Sequence, residues 1–239
     1  MLPPAQQLWE PRKSPVQARS AASVDAIIEA TIQVLLKVGK ERLTTTRVAE
    51  RAGVSVGTLY QYFPNKSALL RAVLKRHFDH VLEAVEHACR EQHGNTVEQM
   101  ATALITAFLH AKMREPQTSV ALYSVSADVD GAKIVKQMAL RMNQAIVTML
   151  SSARQPLTKD PQLVANMLQG AMSGLSRQLL ESGDPEKHFP ALRDELICLA
   201  TAYLRTGVAF DSGRRSDRRE IPGRRGKTGR ASVGMTTKG

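Results

Sequence analysis

No run in this sequence approaches the ~18 consecutive apolar residues that a membrane-spanning helix needs, so no membrane partner is expected. The first thirteen residues, Met1 to Lys13, lack an apolar core behind a basic start, which leaves secretion unsupported. Cysteine is scarce: Cys89 and Cys198 are far apart and show no ligand-like spacing, as suits a reducing cytoplasm. Strand-like alternation is hard to find, and no internal repeat is visible. Phosphate-cradling glycine loops, a nucleophile elbow and a zinc signature are all missing, so neither an enzyme nor a cofactor is implied. His80, Glu83 and His87 share one helical face at i, i+3 and i+7. A solvated helix face is the commoner reason for such a pattern, and no metal is expected.

What is present is a chain of 239 residues, 43% hydrophobic and 23% charged, the balance of an ordinary globular protein with ample length for a core. The charge is segregated. Residues 12–79 hold twelve Lys/Arg against five Asp/Glu, residues 81–210 hold twelve against thirteen, and residues 211–239 hold nine against three. A basic head on a neutral body is the footprint of a protein that meets phosphate with one end.

The organisation reads as all-α, with about nine helices. Residues 1–20, punctuated by Pro3, Pro4, Pro11 and Pro15, suggest a flexible arm. Residues 211–239, rich in glycine and arginine, suggest a disordered basic tail. Between them the apolar periodicity predicts helices over 23–38 (stopped by Gly39), from a Thr44 or Thr45 cap to Ala52–Gly53, from Ser55 to Pro64, and from Asn65 to Gly94. Further helices are predicted over 97–114, 118–127, 132–154, 161–182 and 189–208, separated by Pro116, Gly131, Pro156, Gly183 and Pro185. This divides the chain into a reading domain, 21–80, and a helical body, 81–210.

Two short helices joined by Ala52–Gly53–Val54–Ser55 have the form of a helix-turn-helix. Val48, Ala49, Val54 and Leu59 fall where the pair must pack, and Gly53 can take the positive φ of a sharp turn. The run Leu43–Lys66, with Gly-Val-Ser-Val-Gly-Thr-Leu-Tyr-Gln-Tyr-Phe followed by Pro-Asn-Lys, closely resembles the signature of the TetR/AcrR family, and the likeness extends from about Ser20 to Val81. The resemblance implies a transcriptional regulator, a repressor released from a pseudo-palindromic operator by a small molecule. It also implies roles for single residues. Thr45 and Lys66 would bond backbone phosphates, Thr46 would point toward the groove, and Val56 and Gly57 would begin the recognition helix. Thr58, Tyr60 and Tyr62 would grip phosphates or line the groove. Thr46 stands where many relatives carry arginine, the bidentate reader of guanine, so guanine recognition is not expected there.

For the body, the resemblance implies a homodimer built on the last two helices. Leu163, Met167, Gly170, Ala171, Gly174, Leu175 and Leu179 give one of them an apolar face, and Leu192, Leu196, Leu199, Ala200 and Tyr203 give the other. A pocket for an apolar or amphipathic ligand would lie among the middle helices, lined by Phe108, Met113, Tyr123, Met138, Met142 and Met149, with His110, Gln137 and Arg141 as polar fixers. Ordinary core is the competing explanation for each apolar residue. The alternatives are a ligand-independent architectural DNA-binding protein and an activator. A cytoplasmic, nucleoid-associated bacterial protein is expected.

Overall fold

The computed structural model describes residues 18–127 and 129–207, and among them it holds nine α-helices and no strand. They are α1 (Ala18–Arg42), α2 (Thr45–Ala52), α3 (Val56–Tyr62), α4 (Lys66–Glu91), α5 (Val97–Met113), α6 (Pro116–Ser126), α7 (Val129–Ser151), α8 (Pro161–Leu180) and α9 (Pro185–Arg205). Most of the arm and all of the basic tail read from the sequence lie outside the described residues; Ala18–Ser20 already belong to α1.

The helix ends follow their capping chemistry. Thr44, Ser55 and Asn65 cap α2, α3 and α4, each side chain accepting a bond from a backbone N–H three residues on. Thr96 and Gln99 form a reciprocal capping box at the start of α5. Gly53 closes α2 at φ 67°, the left-handed geometry that glycine adopts without strain.

Three boundaries differ from the periodicity. Gly39, at φ 76°, does interrupt the first helix, but helical backbone continues beyond it to Arg42. The last helix begins at Pro185, because proline suits a first turn that lacks N–H partners; Pro190 then sits inside the helix. Gly131 is no breaker. It lies within α7, where a Cβ would come 2.5 Å from the Val125 carbonyl oxygen, so only glycine lets α7 start this close to the end of α6.

Ile27, Leu43, Val48, Ala49, Leu59 and Phe63 are all nearly inaccessible and knit α1, α2 and α3 together. Truncating one of the larger of them, such as Leu59, to alanine should cost about 2–5 kcal/mol. The core continues without a break along α4 into the body, through Leu69, Val73, Leu74, Val81, Leu82 and Val85. There α4 packs on α5 and α7, α5 on α9, and α8 on α7 and α9. Two contacts beyond the core tie α1 to α4 and, in the body, to α6. Arg76 of α4 pairs with Glu29 at 3.2 Å and Asp25 at 3.7 Å. Lys40 Nζ donates to the Ser124 carbonyl of α6 at 3.1 Å.

Candidate nucleic-acid interface and a cavity in the body

The sequence-predicted reading residues mostly share one surface. Thr46, Val56, Gly57 and Tyr60 are exposed, and Thr45 and Thr58 are half-buried. Thr45 Oγ1 and Tyr60 Oη lie 3.1 Å apart, joining the first turn of α2 to the middle of α3. Val56 and Tyr60 are more than a third exposed, so each presents apolar surface with no partner in the protein. At Gly57 a Cβ would meet only Ser55 Oγ at 3.7 Å, so packing does not require glycine there and the backbone is open to close approach. Arg47 is turned away from this face: its guanidinium donates to the Arg42 carbonyl at 2.7 Å.

Two members of the set are placed differently. Tyr62 is buried, 8% exposed, and belongs to the core rather than to the exposed surface of α3. Lys66 is half-buried, and its ammonium donates to the Lys40 carbonyl at 2.6 Å and to that of Glu41 at 3.4 Å. It satisfies carbonyls of the last turn of α1, which have no helical partner because the helix ends at Arg42. Capping of a distant helix end has no local sequence signal, so this role could not be read beforehand.

The body contains a cavity of about 270 Å³. Phe108, Tyr123, Met138 and Met142 line it, as the sequence suggested. Met113 does not, since it lies half-buried elsewhere on α5. Met149 borders a different, open groove between α4 and α7. Helix α4 contributes Phe78, Val81 and Leu82, and α8 contributes Gln169, Ser173 and Arg177. None of the expected polar fixers reaches the cavity. His110 stacks edge-on against Phe189, Gln137 is exposed, and Arg141 pairs with Glu86 at 2.9 Å.

Ser126 joins the α8 residues as a further polar group of the wall. The buried cation that faces the cavity is Lys112, which sequence reasoning missed. Its only signal was a lysine on the apolar stripe of α5. It is 7% exposed, and its Nζ stands 5.4 Å from the Phe78 ring centre and 5.5 Å from that of Tyr123. Burial pushes its pKa down to about 8. Tyr123 Oη is buried with no hydrogen-bond partner, and burial raises its pKa. Arg177 also lies over the Tyr123 ring, at 5.0 Å, and is held by Glu181 at 2.8 Å. Next to the cavity, Ser119 of α6 donates to the Lys112 carbonyl at 3.0 Å and lies 3.3 Å from His77 Nε2 on α4. Burial lowers the His77 pKa to about 4, and the nearby Lys112 and His80 charges act in the same direction.

The outer faces of α8 and α9 carry large apolar groups without partners: Leu163, Met167 and Leu199 are each more than half exposed. Gly170 and Gly174 continue the α8 stripe with open space where a Cβ would stand. Leu179, Leu196 and Ala200 instead face inward and complete the protein's own core; Leu175 is half-buried against it. Among the described residues no three His, Cys, Asp or Glu side chains cluster as metal ligands, and no helix is long and apolar enough to cross a membrane.

Comparison with known proteins matches both halves of this architecture. Residues 27–73 match the model for bacterial regulatory proteins of the TetR family, and residues 96–204 match that for a tetracycline-repressor-like C-terminal domain. The HTH-type transcriptional repressor KstR of Mycolicibacterium smegmatis is 31% identical over 144 residues, 59% of this chain and 69% of the relative. KstR of Rhodococcus jostii is 29% identical over 144 residues, 59% of this chain and 65% of the relative. Among solved structures, a TetR-family regulator from Mesorhizobium loti aligns with a TM-score of 0.67 at 17% identity, covering 81% of this chain and all of that one. FadR from Bacillus subtilis, solved with stearoyl-CoA, aligns at 0.61 and 17% identity over 74% of this chain and 96% of that one. These relatives are regulators rather than enzymes, and the helix-turn-helix lies within the matched region. The chain belongs to the TetR family of DNA-binding transcriptional regulators.

Proposed function

We propose that this regulator is a homodimeric repressor that leaves its operator when an apolar or amphipathic small molecule fills the cavity of the body. Two α3 helices, related by the dimer twofold and about one DNA turn (~34 Å) apart, would read a pseudo-palindromic site. Thr45, Thr46, Thr58 and Tyr60 would hold phosphates or line the groove. Val56 would meet a thymine methyl, and Gly57 would allow the backbone close to the bases. The bare apolar faces of α8 and α9 support dimerisation, since together they would pack as a four-helix bundle.

The observation that carries the sensing role is where the cavity lies. It is walled in part by α4 and α6, and both of these helices also touch α1 of the reading domain. Tyr123 lines the cavity, while the carbonyl of the next residue, Ser124, is held by Lys40. Phe78 lines it from α4, two residues from Arg76 and its bonds to α1. A ligand that moves α6 or α4 therefore pulls on α1 directly. The names of the relatives agree with this reading: KstR is a repressor and FadR binds stearoyl-CoA.

The ligand must prefer the state that cannot bind DNA, because equal affinity for both states would shift nothing. Operator fragments captured from genomic DNA, followed by anisotropy titration with and without a ligand that fills the cavity, provide the test. Repression requires weaker operator binding in the liganded protein. Affinity that does not respond to any cavity ligand supports the architectural alternative instead.

A further inference from the structure

We propose that the cavity takes an amphipathic anion, with one carboxylate bound at the Lys112–Tyr123 end and a compact apolar body among Phe78, Phe108, Met138 and Met142. The assignment rests on reading the cavity as the effector site and names the class of effector.

Three features at one end of the cavity point to an anion. Lys112 is a buried cation, and among the described residues no carboxylate lies within ion-pair distance of its Nζ. Among the described residues the faces of Phe78 and Tyr123, at 5.4 and 5.5 Å, offset its charge. Such an ammonium is costly to keep unpaired. Tyr123 Oη adds a buried hydroxyl with no partner. Arg177 lines the same end, and among the described residues the carboxylate beside it, Glu181, is already bonded to it. Among the described residues this end thus carries more positive than negative charge, and its neutral neighbours Ser126, Gln169 and Ser173 cannot cancel it. A carboxylate brings two oxygens able to accept several bonds and a charge that neutralises Lys112. An alcohol or amide would leave that charge standing, and a cationic ligand would be repelled.

The rest of the wall is mainly apolar, with Val135, Met138, Ala139 and Met142 from α7, and its other polar groups, Ser126, Gln169 and Ser173, are neutral. The volume, about 270 Å³, suits a small amphiphile.

Among the described residues the charged or titratable groups near Lys112 are His77 from α4, Tyr123 from α6, Arg177 from α8 and Glu181 just after it. His77, at about 4, and Tyr123, raised above its ordinary 10, both stay neutral between pH 7 and 9. Lys112, at about 8, loses its proton in that window, so binding of a carboxylate there must take up a proton as the pH rises. Affinity at pH 9 is then about tenfold below that at pH 7.

Calorimetry and thermal-shift measurements on the full chain with octanoate, octanamide and octanoyl-CoA test the assignment. The wild type binds octanoate at least tenfold more tightly than octanamide, with the stated fall at pH 9. Lys112→Met abolishes both the preference and the pH dependence, and without ligand it melts at a higher temperature, since a buried charge has gone. Tyr123→Phe, which preserves the packing, retains the preference with weaker octanoate binding. Octanamide binding as well as octanoate, a preference that persists in Lys112→Met, tighter binding of octanoyl-CoA than octanoate, or no octanoate binding at all would each overturn the proposal. A neutral amphiphile that releases operator would leave the sensor reading intact while removing the anion. Octanoate bound through Lys112 with unchanged operator affinity would do the reverse.

Discussion

Lys66→Ala removes a charge-assisted donor from the end of α1 and leaves the Lys40 and Glu41 carbonyls to water. A hydrogen bond to a charged group contributes about 1.5–3 kcal/mol. Lys66 is only half-buried, and the second contact, at 3.4 Å, is weak, so the lower end applies. The expected loss is about 1–2 kcal/mol, or roughly 2–8 °C in Tm for a chain of this size. Denaturation by urea and by heat measures it. Methionine at the same position, which keeps the aliphatic stem, should lose as much, because the ammonium carries the effect. Unchanged stability in both variants would refute the capping role. The same variants decide whether Lys66 also meets phosphate: a lost contact makes the salt dependence of operator binding shallower by about 0.9 in log–log slope.

Tyr60→Phe should weaken operator binding about three- to tenfold while leaving Tm within a degree or two, because its exposed bond to Thr45 contributes little to folding; anisotropy and thermal melts read the two effects separately. Leu163→Glu and Leu199→Glu, placed on bare faces of α8 and α9, should give folded monomers in sedimentation runs, whereas charge at buried Leu196 should unfold the chain. His77 is held neutral by burial, with a folded pKa of about 4 against the ordinary 6.5. Its contribution is complete above pH 6.5 and is lost as pH falls toward 4. Stability should drop by about 2 kcal/mol between pH 7 and 5, and urea titrations should find this slope flattened in His77→Gln.

Much of this architecture is legible in the chain because its signals are local. Thr44, Ser55, Asn65 and Thr96 announce helix starts through side chains that bond backbone three residues on, and Gly53 marks a turn that needs positive φ. The apolar stripe of α4 is equally plain. What the chain hides depends on how distant helices meet. Tyr62 and Tyr60 look alike in sequence, yet two residues of helical rotation bury one and expose the other. Met138 and Met149 lie on the same helix, but only the first reaches the cavity. Lys112 draws no notice in the sequence, and its place emerges only where α4 and α6 bring Phe78 and Tyr123 to it. Gly131 reads as a breaker until the Val125 carbonyl is found where its side chain would be.

The central claim is that the cavity and the reading face are coupled, and linkage makes that coupling reciprocal. If a ligand weakens operator binding, operator must weaken that ligand by the same factor. An amphiphile that fills the cavity should therefore be titrated calorimetrically into the free protein and into the saturated protein–operator complex. A coupling of ~1–3 kcal/mol predicts ligand binding roughly 5–150-fold weaker in the complex. Equal affinities in the two titrations would contradict the account.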